Sequence, residues 1–97
     1  MKLLQVVKST RPEKKLMAIF LNEQTGRKKT VHFGQASADD YTLTKDKEQR
    51  KRYRARHAKD LQTGDPTRAG FLSLEILWGN SVNRQRNIMN YKKKYNL

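Results

Sequence analysis

A chain of 97 residues is one domain by length, and its 35% hydrophobic content lies below the usual range of about 45–50% for globular proteins. Against 9 acidic residues stand 22 lysines and arginines, a net charge of +13, while cysteine is absent, which excludes disulfides and thiolate metal sites. The only histidines are His32 and His57, too few for a histidine metal cage, so neither a metal nor another cofactor is expected.

No stretch approaches the ~20 apolar residues of a membrane span. The start, MKLLQVVKSTRPEKK, has an apolar run too short for a signal-peptide core and no small-residue cleavage site, so the chain is expected to stay inside the cell. A chain of this length buries only about 60–65% of its unfolded surface, which leaves a thin margin of stability.

In chain order, KLLQVV at 2–7 reads as a short strand and STRPE, with Pro12, as a turn. LMAIFL at 16–21 is continuously apolar and too short for an ordinary helix. It reads as a central strand buried on both faces. NEQTGR makes a turn with Gly26 suited to positive φ. KKTVHF then alternates, with Val31 and Phe33 pointing one way and Thr30 and His32 the other, which completes an antiparallel meander. After a polar connector, Thr44 reads as the N-cap of a helix over about 45–61, with Asp46 and Glu48 in its first turn and Gly64 after its end. Its apolar stripe is thin: Tyr53, His57 and Leu61, with Ala58 alongside. Asp65 and Pro66 read as N-cap and first residue of a second helix, stopped by Gly79. It is apolar nearly all round, from Phe71 to Trp78, and should be the core helix. Ser81 reads as the cap of a third helix with Ile88, Tyr91 and Tyr95 on one side. The expected fold is α+β, a small three-stranded antiparallel sheet followed by about three helices in one domain over 1–97.

Charge is the most prominent feature, and its excess is spread over all thirds of the chain rather than held in a tail. The first helix carries Lys45, Lys47, Arg50, Lys51, Arg52, Arg54, Arg56 and Lys59, and the third carries Arg84, Arg86, Lys92, Lys93 and Lys94. Arginine binds phosphate bidentately and lysine acts as a mobile point charge, so these residues are the candidate contacts for a polyanion, either nucleic acid or an acidic protein surface. The plain alternative is a solvated helix whose charges only keep the protein soluble. A groove-reading arrangement, with base-reading side chains on one face and a partner helix across the backbone, is not discernible. Trp78, Tyr91 and Tyr95 beside basic residues can stack bases, but aromatics at this spacing read first as packing. Asp39 and Asp40 with His32 do not make a catalytic metal site, which needs ligands converging from several elements. One of the two aspartates should instead bond turn amides or pair with an arginine from the following helix. Neither a Gly-rich phosphate loop nor a Ser/His/Asp set is present, and the expectation is a protein that is not an enzyme.

The run His32-Phe33-Gly34, Asp40-Tyr41-Thr42, Lys45-Asp46-Lys47-Glu48, Tyr53, Arg56-His57, Asp65-Pro66-Thr67, Ala69-Gly70-Phe71-Leu72-Ser73 and Leu77-Trp78 resembles the small basic proteins of unassigned function encoded by large nucleocytoplasmic DNA viruses, the giant and algal viruses. The resemblance spans roughly residues 15–95. The chain departs from that pattern at Asp39, where serine is usual, at Gln49, where arginine is usual, and at Leu74-Glu75, which replace an Arg-Trp pair. The resemblance implies a virus-encoded protein carried in the particle, and so located in the virion or in the host cytoplasm or nucleus. Two readings follow. The first is a minor capsid or virion component within a larger assembly, contacting acidic capsid surfaces, packaged DNA or both. The second is a nucleic-acid-binding module of little sequence specificity, compacting DNA or binding RNA. Replacing Arg50, Arg52, Arg54 and Arg56 by glutamine is expected to weaken polyanion binding without unfolding the domain.

Overall fold

Alternating and continuous apolar runs at the start of the chain form strands because their side chains can be covered only against a common layer. In the computed structural model, which describes residues 1–97, β1 (Lys2–Lys8), β2 (Lys14–Leu21) and β3 (Lys28–Gln35) form a meander in the order β1-β2-β3. Both pairings are antiparallel, with Val6 opposite Ala18 and Ala18 opposite Val31. A bulge between Leu3 and Gln5 leaves Leu4 without a partner and exposed. Gly26 takes φ 72° in the β2–β3 turn, as its sequence position implied.

The sheet has one covered face. Leu3, Ala18, Phe20 and Phe33 point inward and are buried, with Val6, Leu16 and Val31 packed beside them. Val7, Met17 and Ile19 alternate to the outer face, beside Leu21 and His32, and are only half-buried. The reading of 16–21 as a strand is right and its central place is right, but burial on both faces is not. Every helix packs on the inner side, so a continuous apolar run here marks a sheet with an open apolar face.

The expected helix over 45–61 is divided into two pieces, and a short helix precedes it in the expected connector. Asp40 caps a short α1 (Tyr41–Thr44), which ends at Lys45 in the left-handed region with φ 58°. Asp46, not Thr44, caps α2 (Lys47–Arg56), its carboxylate accepting from the Glu48 and Gln49 amides. A 3-10 segment (Ala58–Thr63) follows, closed by Gly64. Asp40 and Asp46 each cap a helix start, which sets α1 before α2. Asp65 makes a turn through the Thr67 amide rather than a helix cap, and α3 (Ala69–Leu72) begins later, running on into a π-helical segment (Ser73–Leu77). Asn83 caps α4 (Arg84–Lys94), while Ser81 accepts from the Asn83 amide one step earlier.

The α3–π segment is the core element, as its composition implied. Phe71, Leu72, Leu74, Ile76, Leu77 and Trp78 are all buried. It lies between the inner face of the sheet and α4, and approaches β3 so closely at Gly34 that a Cβ there would sit 2.6 Å from Leu77 Cδ1. Gly34 also has φ 78°, so a side chain is excluded by both conformation and space.

Candidate polyanion-binding surface

Helix ends leave carbonyls without intrahelical partners, and a π-helical end widens that gap. The Trp78 amide closes the wide turn onto the Ser73 carbonyl. The carbonyls around this end are satisfied from outside by three side chains. Arg54 Nη1 donates to the Leu74 carbonyl at 2.6 Å and to that of Trp78 at 3.0 Å. Arg50 Nε donates to Trp78 at 3.1 Å and Gly79 at 2.8 Å, and its Nη2 reaches Asn80 Oδ1 at 2.8 Å. From the other side, the buried Asn87 on α4 donates to the Ile76 carbonyl at 2.9 Å and the Ser81 carbonyl at 2.7 Å. Cations suit a helix C-terminus, so both arginines also sit favourably in its dipole.

Arg50 and Arg54 are therefore held by the fold. Arg50 also lies over the Tyr41 ring, 5.6 Å from its centre, and both burial and the adjacent Arg54 charge lower its pKa. Arg54 approaches Glu75 at 3.6 Å, and Lys94 reaches the other oxygen of the same carboxylate at 3.6 Å. Glu75 thus ties the inner side of α2 to the end of α4. The expectation that glutamine at 50, 52, 54 and 56 spares the fold needs correction at positions 50 and 54.

The other basic residues of α2 face solvent. Lys47, Lys51, Arg52 and Arg56 are exposed and make no hydrogen bond or ion pair through their side chains, and the same holds for Lys45 before the helix and Lys59 after it. On α4, Arg86 and Lys93 are exposed and Lys92 is half-buried. Arg84 is turned inward, with Nε on Thr42 Oγ1 at 2.8 Å and Nη2 on Asp40 Oδ2 at 3.2 Å.

Asp40 is buried, and Lys15 Nζ lies 2.5 Å from the same oxygen that meets Arg84. Burial pushes its pKa up, but hydrogen bonds from Lys15 and Thr42 and the charges of Lys15 and Arg84 outweigh that and hold it below the ordinary value. The arginine partner comes from α4, 44 residues away in sequence, not from the helix that follows.

The aromatics pack. Tyr53 stacks between His57 and Trp78 with ring centres 4.2 and 4.1 Å apart, Tyr91 donates to the Pro66 carbonyl from a buried position, and Tyr95 meets Phe71 edge-on. The two histidines have separate partners: His32 Nδ1 is 2.7 Å from Ser9 Oγ, and His57 Nδ1 is 3.6 Å from Asp60. No cluster of three or more histidine, aspartate or glutamate side chains is arranged to hold a metal ion, and no helix is long and apolar enough to cross a membrane.

Sheet, capped helices and cationic surface define a small basic α+β domain whose positive charge is divided between internal anchors and a free face. A family model described only as a family of unknown function, DUF5754, matches residues 4–57, more than half of the chain, and the chain belongs to that family. The matched segment runs from β1 to the end of α2. It contains Asp40, Arg50 and Arg54 but not the π-helical end and α4 that they hold. No curated protein and no solved structure matches the chain.

Proposed function

We propose that this chain is a non-enzymatic binding protein that engages a polyanion through the solvent face of α2, with the phosphate backbone of nucleic acid as its first partner. One observation carries the reading: Lys47, Lys51, Arg52 and Arg56 are exposed and unpaired on a helix whose other arginines fix it to the core. Charges held on a rigid element and not neutralised internally release condensed counterions when they meet phosphates, which makes binding strong and salt-dependent without reading sequence. The test is fluorescence anisotropy with a short DNA duplex across a salt series, comparing the natural chain with Lys51→Gln/Arg52→Gln/Arg56→Gln. The expected result is sub-micromolar affinity at physiological salt and a slope near −0.9 per phosphate contacted, shallower in the variant. Equal affinity and slope in the two proteins overturn the assignment to α2.

A second reading is supported by the open outer face of the sheet, where half-buried Val7, Met17, Ile19 and Leu21 lie beside exposed Lys2 and Lys28. An apolar strip edged by lysines suits an acidic protein surface, as a minor structural component of a large DNA virus particle would require. DNA binding no tighter than binding to heparin favours this reading.

A further inference from the structure

A second concentration of positive charge lies away from the free face of α2. It is built from segments distant in sequence: the β1–β2 turn, the loop after β3, α1 and the start of α4. A cavity of about 470 Å³ there is lined by Lys8, Arg11, Lys14, Lys15 and Arg84, with no carboxylate on its wall, and Leu43 of α1, 58% exposed, stands at its rim. Lys8, Arg11 and Lys14 have no side-chain partner in the molecule. Lys15 and Arg84 share the single buried carboxylate of Asp40, so one negative charge faces two positive ones. The Lys15 side chain is only 9% exposed, a nearly buried cation fixed at the cavity wall.

The wall is also held in place. The Arg11 amide donates to Ser9 Oγ, the Lys14 amide to the Arg11 carbonyl and the Ala36 amide to the Glu13 carbonyl, which ties the turn to the end of β3. Glu13, on the same turn, does not line the cavity. Lys8, Arg11 and Lys14 line this recess without a counter-charge, beside Lys15 and Arg84 that share one carboxylate, and a compact anion of several charges offsets that excess. The volume falls in the usual range for small-ligand sites, about 300–1,000 Å³.

The geometry points to a binding site for a small ligand carrying several adjacent phosphates, with the apolar rim at Leu43 beside it for an organic portion. The site is independent of the α2 surface, and its test separates the two. Isothermal titration with inorganic tripolyphosphate and with ATP compares three proteins: the natural chain, Lys8→Gln/Arg11→Gln/Lys14→Gln, and Lys51→Gln/Arg52→Gln/Arg56→Gln. Saturable binding of one ligand per chain is expected, weakened about tenfold or more in the first variant and unchanged in the second. Tighter binding of ATP than of tripolyphosphate identifies a nucleoside polyphosphate as the ligand. Equal binding identifies a ligand read by its phosphates alone. No saturable binding, or equal weakening in both variants, overturns the proposal. The first variant removes only side chains without intramolecular partners, so it retains the fold, and circular dichroism checks this directly.

Discussion

Removing the Asp40 carboxylate leaves Lys15 and Arg84 near one another without a counter-charge and opens the cap of α1. Breaking a buried pair in this way costs about 3–5 kcal/mol, so Asp40→Ala should lower unfolding free energy by that amount in urea denaturation. The pH dependence has a defined sign. The folded pKa of Asp40 lies below its unfolded value, so its stabilisation is complete above about pH 4 and lost as the pH falls through the folded value. Asp65, lowered by its hydrogen bonds from Thr67, acts in the same direction. Asp40→Asn should therefore lose less stability than the natural chain between neutral pH and pH ~3, with the remainder due to other carboxylates. An unchanged acid profile would show that the ion pairs with Lys15 and Arg84 add nothing.

At the scale of elements, α2 has two faces with different work. Its inner arginines complete the hydrogen bonding of the π-helical end, and its outer lysines and arginines are free. Each inner arginine makes several charge-assisted bonds to carbonyls that lose their partners on substitution. Arg50→Gln and Arg54→Gln should each cost about 2 kcal/mol, while Arg52→Gln and Arg56→Gln should stay within about 0.5 kcal/mol. Thermal melts of the four single variants check this, and four equal melting temperatures would contradict the division. Trp78 joins the two elements, buried in the core and stacked on Tyr53. Trp78→Ala should cost about 3–5 kcal/mol, read by the same melts.

For the whole molecule, the layering leaves helices on one side of the sheet and solvent on the other. A chain with a low apolar fraction still leaves a strip of Met17, Ile19 and Leu21 only half-buried, because one layer of helices covers one face only. Ile19→Lys should change stability by less than about 1 kcal/mol, since the position is already half in solvent, and should leave the salt slope of DNA binding intact. Unfolding of this variant would show that the outer face is part of the core. Retained stability together with lost binding to an acidic protein partner would place the contact on the sheet.

Local pattern determined much of this protein by itself. The apolar runs at 2–7 and 16–21, the alternation at 28–33 and the Gly26 turn specify the meander, and the apolar density from Phe71 to Trp78 marks the core helix, because side-chain period and turn chemistry act over a few residues. Tyr53 and His57 were legible as the packing stripe of the basic helix for the same reason. Only the tertiary structure decided which charges are free. Arg50 and Arg52 are alike in sequence, yet one meets carbonyls 28 and 29 residues away and the other meets solvent. The buried Asn87 gave no signal, since a polar residue in a helix is ordinarily exposed. The cationic cavity joins Lys8, Arg11, Lys14 and Lys15 to Leu43 and Arg84, and the open face of β2 reflects where the helices pack. Composition sets the amount of charge and apolar surface, whereas long-range packing decides which of it is satisfied internally and which is left for a partner.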